Sequence, residues 1–352
     1  MLNLVYFSIF AFLISYVLNK FYLKNLKYLS IKKNQIQSNN RWGDSFKSHF
    51  GGVSFSVCAI LISLFLISQN ITEIRGISIE LKSFVGIFFV VLVSTVVGII
   101  DESETLGPWS KIFNQLIICA ILIWAGFVIN FTNYFLINIF ISIAWLLLVI
   151  NAFNLFDNVD LALSTYALAI LIFLLFFSMN IVYSSMLQII MSVYIGAIIG
   201  FICFNYFPSK IFMGEIGSLQ LGTVISALSI SILWNDYQPQ NILSSIYFLL
   251  LNNVLFIVLF LDIAFVFLYR WSLGRSILRG DTNHISHRFL KLGYSPNAYA
   301  LLILLINIIS FSVFSFLVYF EEYFEFSLRF SIILMYYIIV TLMLLKIYMY
   351  KK

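Results

Sequence analysis

Long apolar runs recur along the whole chain and limit this protein to a helical fold inside a membrane. A bilayer core of about 30 Å needs roughly 20 apolar residues per helix, whereas the strands of a membrane barrel alternate every second residue. Hydrophobic side chains make up 62% of the 352 residues and charged side chains only 10%. Because a soluble domain carries about 25% charged residues, the composition excludes a soluble globule.

The apolar runs predict one all-α, polytopic membrane domain over residues 1–352 with eleven transmembrane helices. The predicted spans are 2–18, 50–69, 84–100, 113–130, 135–150, 162–179, 181–204, 219–235, 244–268, 298–320 and 329–349. No basic residue precedes the first span and no small-residue cleavage site follows it, so we expect a membrane helix rather than a cleaved signal peptide. The three cysteines, Cys58, Cys119 and Cys203, lie at no disulfide or metal-ligand spacing and are expected to be packing residues.

The basic residues predict the orientation of these spans. Seven of them, from Lys20 to Lys47, lie between the first two spans, and loops rich in Lys and Arg face the cytoplasm. When the spans alternate from there, seventeen of the twenty Lys and Arg residues fall inside, the exceptions being Arg75, Lys82 and Arg329. We therefore expect the N-terminus outside and the C-terminus inside. In a membrane protein the net charge of +5 is explained by these basic cytoplasmic loops. No nucleic-acid partner is therefore expected.

The same assignment places most of the scarce polar side chains on the cytoplasmic face. The acids and imidazoles near the inner ends of the spans are Asp44, Asp101, Glu102, Glu104, Asp157, Asp160, Glu215, Asp281, His49, His284 and His287. Solvated loop ends would explain any one of them. Because charge is so rare elsewhere in the chain, their shared side indicates a functional site.

Two of the acidic patterns favour a cation and a phosphate. Asp101 and Glu102 close the third span, and adjacent carboxylates repel each other unless a cation or a proton relieves the repulsion. If that span continues as a helix, Glu102 is expected to point away from Asp101, because neighbouring residues diverge by about 100°. Glu215 lies between glycines just before the eighth span, where the backbone can approach a phosphate. Magnesium would suit such oxygen ligands.

A third pattern is polar and has two interpretations. Asn154, Asp157 and Asp160 recur at every third position, so in a helix they would form one polar stripe. The alternative is a turn that ends the helix. Further along, the segment from Asp281 to Arg288 supplies imidazoles and an arginine suited to phosphate oxygens. Together the patterns predict a magnesium-dependent reaction on a phosphate or diphosphate, with one substrate borne by the lipid and one soluble.

In their order, these motifs resemble those of the polyprenyl-phosphate N-acetylhexosamine-1-phosphate transferases, which form glycosyltransferase family 4. The resemblance covers about residues 48–294. The motifs that carry it are Ser-His-Phe-Gly-Gly (48–52), Asp101-Glu102 with Lys111 and Gln115, Asn151 to Asp160, Asn205 and Pro208 with Phe212-Met-Gly-Glu-Ile-Gly-Ser, and Asp262, Arg270 and Asp281 with His284-Ile-Ser-His-Arg288. The uninterrupted triple histidine of the peptidoglycan branch is absent, which favours the branch that uses simple UDP-sugars.

The resemblance implies transfer of an N-acetylhexosamine-1-phosphate from a UDP-sugar to undecaprenyl phosphate, with release of UMP. The enzyme would lie in the bacterial cytoplasmic (inner) membrane and initiate a cell-surface glycan of the O-antigen, capsule or teichoic-acid type. Mg²⁺, with Mn²⁺ as an alternative, would be the cofactor, and a homodimer is compatible with the resemblance. The residues it implies as catalytic are Asp101, Glu102, Asp160 and His284; as substrate-binding, His49, Lys111, Asn154, Asp157, Asn205, Phe212, His287 and Arg288; and as metal ligand, Glu215.

Individual roles follow by similarity. Asp101 would deprotonate or orient the lipid phosphate. Asn154 and Asp157 would face the nucleoside, Asp160 would lie near the sugar-phosphate, and Phe212 would stack on uracil, although packing alone would also explain an aromatic residue there. The imidazoles and the arginine of the segment 284–288 would bind the sugar or the diphosphate.

The chain departs from the family pattern at several motif positions. The pattern has Asp where this chain has Glu102 and Glu215, Gly where it has Asn158 and Leu161, Pro where it has Ser48, and His where it has Ser286. Every carboxylate position remains acidic, which favours an active, divergent member. A catalytically silent relative that serves as a UDP-sugar-binding scaffold, a secondary transporter and a different lipid-linked phosphotransferase are the alternatives.

Overall fold

The computed structural model describes residues 2–25, 49–70, 78–104, 106–180, 185–234, 241–274 and 283–350. Asp44 and Asp281, which the sequence places on the polar face, lie outside these residues. The longer helices are α1 (Leu2–Lys24), α2 (Val53–Asn70), α3 (Ser78–Glu104), α4 (Pro108–Trp124), α5 (Phe135–Phe156), α6 (Ala162–Asn180), α7 (Ser185–Asn205), α8 (Gly214–Ser229), α9 (Ile242–Asn253), α10 (Ile257–Ser272), α12 (Pro296–Tyr319) and α13 (Phe326–Met349). A short helix, α11 (Ile285–Lys291), precedes α12.

The all-helical prediction is confirmed for the described part of the chain. Nine of its helical segments are long and apolar enough to cross a bilayer, with α9 and α10 counted as one segment. The two other predicted spans also correspond to apolar helices, but these are shorter, namely Val53–Ser68 within α2 and Pro108–Trp124. The number of crossings and the orientation stay predictions.

Several helices begin earlier than the apolar runs predict, and two of these early starts concern the polar face. The fourth span was placed at 113–130, whereas α4 begins at Pro108, since proline has its φ preset for the first position of a helix. The eighth span was placed at 219–235, whereas α8 begins at Gly214. As a result Lys111 and Glu215 both lie in the first turn of a helix, which fixes the direction of their side chains.

Helix α8 is the centre of the bundle. It packs against α3 on one side and α5 on another, and every one of its residues except Glu215 is buried. It continues as one turn of π-helix over Ile230–Trp234. The outer helices α1 and α13 instead expose apolar side chains such as Leu13, Ile338 and Leu342, which suits contact with lipid.

Glycines allow the segment before α2 to lie directly on the start of α8. The backbone N–H groups of Gly51 and Gly52 donate to the carbonyls of Phe212 and Met213 over 3.1 and 2.9 Å. A Cβ atom on Gly52 would lie 2.2 Å from the backbone nitrogen of Gly217, so no larger residue fits. Gly214 has a φ of +75°, a value that glycine adopts without strain. The two glycine motifs are therefore partners in one contact.

Candidate active site at the converging helix ends

Two carboxylates from two helices meet at one ammonium group, and a third carboxylate lies beside them. Asp101 and Glu102 lie near the end of α3, and Glu215 lies in the first turn of α8. The Nζ atom of Lys111, on α4, is 2.6 Å from Oδ2 of Asp101 and 3.7 Å from Oε2 of Glu215. Asn154, in the last turn of α5, donates from Nδ2 to the same Oε2 atom of Glu215 over 2.9 Å. Four helices thus contribute to one acidic cluster.

Glu102 reaches the cluster from the other side of Glu215. Its Oε2 atom accepts from the backbone N–H of Glu215 over 3.3 Å, and its Oε1 atom lies 3.5 Å from Nδ1 of His49. A carboxylate at the start of a helix is favoured by the positive end of the helix dipole. The partners of Asp101 and Glu102 differ, as their divergence on α3 predicts, yet both carboxylates border Glu215. The ring of Phe212 lies 5.2 Å from that of His49.

The predicted polar stripe on α5 is wrong beyond Phe156. The helix ends at that residue, and Asp157 follows it with a φ of −76° and a ψ of 57°, outside the helical region. Asn154 therefore points to Glu215, while Asp157 and Asp160 lie in a turn. The helix-ending turn, the second interpretation of the pattern, is correct here, because the backbone leaves the helix before the third repeat.

Asp160 and Asn205 hold this turn in place. The backbone N–H of Ser209 donates to Oδ2 of Asp160 over 3.2 Å, and the backbone N–H of Leu161 donates to Oδ1 of Asn205 over 2.9 Å. Leu161 has a φ of +69°, a left-handed conformation that costs a residue with a Cβ atom roughly 1–2 kcal/mol. Both side chains thus contact the backbone, and Asn205 fixes the residue that carries the strain.

The histidine segment is fixed by a carboxylate buried in α10. Nδ1 of His284 lies 2.7 Å from Oδ2 of Asp262, and the backbone N–H of Ile285 donates to Oδ1 of Asp262 over 2.7 Å. Asp262 and His284 are 2% and 4% exposed, so water does not compete for this pair. A carboxylate bound at one imidazole nitrogen sets the ring's orientation and its tautomer.

The other members of the segment contact two further parts of the fold. The guanidinium of Arg288 lies over the rings of Tyr348 and Tyr269, 4.8 and 5.5 Å from their centroids, and donates to Oδ1 of Asn283 over 3.1 Å. Arg288 thereby holds α11 against α10 and α13. The rings of His287 and His284 are 6.3 Å apart. On the opposite side, Oγ of Ser286 donates to Oδ1 of Asn158, in the turn after α5, over 2.6 Å.

The acidic cluster leaves little room between its side chains. A pocket of about 10 Å³ lies between α3, α4, α5 and α8, which is space for about one water molecule. It is lined by Asp101, Lys111, Gln115, Asn154, Glu215 and three apolar residues. This space is smaller than a phosphate group as the side chains stand.

The donor set fits a hard divalent cation. Two carboxylates contact the ammonium of Lys111 and Glu102 lies beside Glu215, so carboxylates outnumber the ammonium group, and their oxygens are the ligands that Mg²⁺ prefers. No group of three or more His, Cys, Asp and Glu side chains in the described ranges is arranged as a metal-binding cluster. Since Mg²⁺ commonly takes one or two carboxylates and completes its shell with phosphate oxygens and waters, Glu215 stays a candidate ligand.

The prediction from the sequence missed three side chains that organise this site. Asp262 gave a signal, because it is the one acid inside a predicted span, and an ionisable residue at that depth is a functional candidate. Asn158 and Ser286 gave a different signal, since both replace the residues of the family pattern. Their contact joins positions 128 residues apart in the chain, which no local pattern reveals.

Comparison with known proteins gives the same family as the motifs. Residues 84–233 match the family model described as glycosyl transferase family 4. A probable undecaprenyl-phosphate N-acetylglucosaminyl 1-phosphate transferase of Bacillus subtilis is 26% identical over 85% of this chain and 82% of its own length. A decaprenyl-phosphate N-acetylglucosaminephosphotransferase of Mycobacterium leprae is 26% identical over 74% of this chain and 71% of its own length.

A phospho-N-acetylmuramoyl-pentapeptide-transferase of Streptococcus thermophilus is 29% identical over 52% of this chain, and the matched part spans 58% of that relative's length. These matches support the family that the motifs indicate, glycosyltransferase family 4 with its polyprenyl-phosphate sugar-1-phosphate transferases. It is a multi-pass membrane protein with bacterial relatives.

Proposed function

We propose that this protein transfers an N-acetylhexosamine-1-phosphate from a UDP-sugar to undecaprenyl phosphate. An oxygen of the lipid phosphate attacks the phosphorus that bears the sugar. The bond from this phosphorus to the bridging oxygen breaks, UMP leaves with that oxygen, and a lipid-linked diphospho-sugar remains. The reaction would take place at the cytoplasmic membrane and supply the first sugar of a cell-surface glycan.

The observation that carries the proposal is the contact of Lys111 with Asp101 and Glu215, with Glu102 beside Glu215. Phosphoryl transfer needs positioned oxygens and cationic groups that balance the charge as it develops. The ammonium of Lys111 can turn from Asp101 to a phosphate oxygen without leaving the cluster, because it already lies between two carboxylates. Asp101, near the end of an apolar helix, would orient a phosphate that arrives from the lipid.

Mg²⁺ would supply the charge neutralisation that a diphosphate requires next to three carboxylates, and Mn²⁺ is an alternative. In this proposal Glu215 holds the ion, and Asn154 orients Glu215 through its hydrogen bond to Oε2. Phe212, beside His49 at the edge of the cluster, offers an aromatic face for the uracil.

A simple UDP-N-acetylhexosamine is favoured over the peptidoglycan precursor. The relatives whose names specify N-acetylglucosamine match 85% and 74% of this chain, and pentapeptide transferases match up to 70% of it, so coverage does not separate the two branches. The segment 284–288 lacks the uninterrupted triple histidine of the peptidoglycan branch. This absence supports the sugar branch and leaves the choice among N-acetylhexosamines to experiment.

The test is incubation of the purified protein with undecaprenyl phosphate, Mg²⁺ and a panel of UDP-sugars, followed by measurement of UMP. We expect UMP release with a UDP-N-acetylhexosamine and none without the lipid phosphate. A protein that binds UDP-sugars yet releases no UMP with any of them would be the scaffold instead. Transport of a solute across the membrane of vesicles that contain the protein, without UMP release, would identify a transporter.

A further inference from the structure

The turn after α5 and the short helix α11 are joined by one side-chain hydrogen bond. Oγ of Ser286 donates to Oδ1 of Asn158 over 2.6 Å, and Ser286 is 1% exposed. The same Asn158 side chain donates from Nδ2 to the carbonyl of Leu155 over 3.0 Å. Asparagine at this position therefore uses both ends of its amide, one within the turn and the other across to α11.

Each of the two segments is otherwise anchored to a different part of the fold. The turn is held through Asn205 and Asp160, which contact the backbone of Leu161 and Ser209. Helix α11 begins on Asp262, which binds His284 and Ile285 from α10. The Asn158–Ser286 bond therefore links directly two segments that are also anchored to different parts of the fold.

Candidate substrate contacts flank this bond on both sides. Asp157, expected to face the nucleoside, immediately precedes Asn158, and His287, expected to face the sugar or the diphosphate, immediately follows Ser286. A change in the spacing of the two segments changes the span between these contacts. A ligand that reaches both would sense the change, whereas a ligand that reaches only the nucleoside side would not.

Both partners also depart from the pattern that the rest of the chain resembles. Glycine at 158 would have no side-chain acceptor, and histidine at 286 would need more volume than the buried serine occupies. The two departures meet in one contact, so each accounts for the other. This pairing is the reason to treat them as one feature rather than as two separate substitutions.

We propose that the Asn158–Ser286 hydrogen bond is a positioning pair that sets the span between the nucleoside and sugar-diphosphate contacts of this site, and so controls recognition of the UDP-sugar. The inference rests on the proposed function for the identity of the ligand. Neither residue is catalytic in this account. Without the bond, binding must first order the two segments, which weakens affinity for any ligand that spans them.

The experiment is a double-mutant cycle with Asn158→Ala, Ser286→Ala and the double variant in the full-length protein. Dissociation constants for UDP-N-acetylglucosamine, UDP-N-acetylgalactosamine and UMP are measured without lipid phosphate, and thermal unfolding is recorded for each variant. Ser272→Ala is the matched control, because the exposed Ser272 hydroxyl donates to the carbonyl of Tyr269 over 2.8 Å near the end of α10 and away from this bond.

We expect each single variant to weaken binding of the preferred UDP-sugar by about fivefold, the worth of one hydrogen bond. The double variant should also lose about fivefold rather than about 25-fold, because partners in one contact are not additive. UMP affinity should change by less than twofold, and Ser272→Ala should match wild type. This selective loss is a result that general destabilisation does not produce.

Additive losses of UDP-sugar affinity in the double variant would overturn the positioning pair. Equal losses of affinity for UMP and the UDP-sugar would also overturn it, as would unaltered UDP-sugar affinity in the single variants. The proposed function is judged separately, by UMP release from wild type. If wild type binds UDP-sugars without turnover, the transferase proposal fails while the cycle still decides the role of the pair. If wild type binds no UDP-sugar, both fail.

Discussion

Lys111→Met tests whether the ammonium of Lys111 compensates the charge of the acidic cluster. Methionine keeps most of the aliphatic length and removes the charge. The variant loses the 2.6 Å contact to Asp101 and the 3.7 Å contact to Glu215. A hydrogen bond between charged groups contributes roughly 1.5–3 kcal/mol, and the 32% exposure of the lysine side chain lowers this through solvent screening. We therefore expect the free energy of unfolding to fall by about 1–2 kcal/mol.

At about 2–4 °C per kcal/mol for a large domain, that loss lowers the thermal midpoint by roughly 2–8 °C. The measurement is thermal unfolding in detergent micelles with a chelator present. Mg²⁺ titrated afterwards should raise the midpoint of the variant more than that of wild type, since three carboxylates without the ammonium attract a cation more strongly. Both readouts are independent of turnover.

Lys291→Met is the matched control, because Lys291 is an exposed lysine at the end of α11, and we expect it to behave as wild type. A Lys111→Met midpoint equal to or above that of wild type in the chelator would refute the compensation argument. If Mg²⁺ raises the thermal midpoints of Lys111→Met and wild type equally, the cluster is not the cation site.

Three further substitutions test the roles of individual acids. Glu215→Gln should abolish turnover, because an amide is a poorer ligand for a hard cation, whereas Glu104→Gln, at an exposed position at the end of α3, should leave UMP release unchanged. Asp101→Asn should lose transfer while UDP-sugar affinity stays within a fewfold, and full activity would end its role at the lipid phosphate. Asp262→Asn should reduce kcat by at least tenfold by releasing the His284 ring, with the nitrogen NMR shifts of that ring reporting the altered tautomer; an unaltered kcat would contradict this.

The motifs of the chain predicted which residues belong to the site more reliably than how they meet. Asp101, Glu102 and Glu215 were found by type and by their place at a helix end, Lys111 was found by the resemblance, and the structure brings all four together. The contact of Asn154 with Glu215 was not foreseen, because the pattern suggested a stripe on α5 that would face a nucleoside. Only the position of α8 beside α5 decides where Asn154 points.

The same distinction holds for the helix boundaries. The apolar runs located each predicted span close to its helix, since hydrophobic length is a property of a local stretch of sequence. They missed the starts of α4 and α8, where polar residues such as Lys111 and Glu215 continue the helix into the site. A hydropathy run ends where polar side chains begin. A helix, by contrast, continues for as long as its backbone N–H and C=O groups find hydrogen-bond partners.

The sequence by itself determined that this is a helical membrane protein whose motifs resemble those of a known transferase family, because composition, apolar length and motif order are properties of local stretches of the chain. The tertiary structure decided which of its polar residues are partners. Asp262 with His284, and Asn158 with Ser286, are 22 and 128 residues apart. Their contacts arise from the packing of α10 and α5 against neighbours, and in a bundle of apolar helices that packing depends on shape, which no periodicity records.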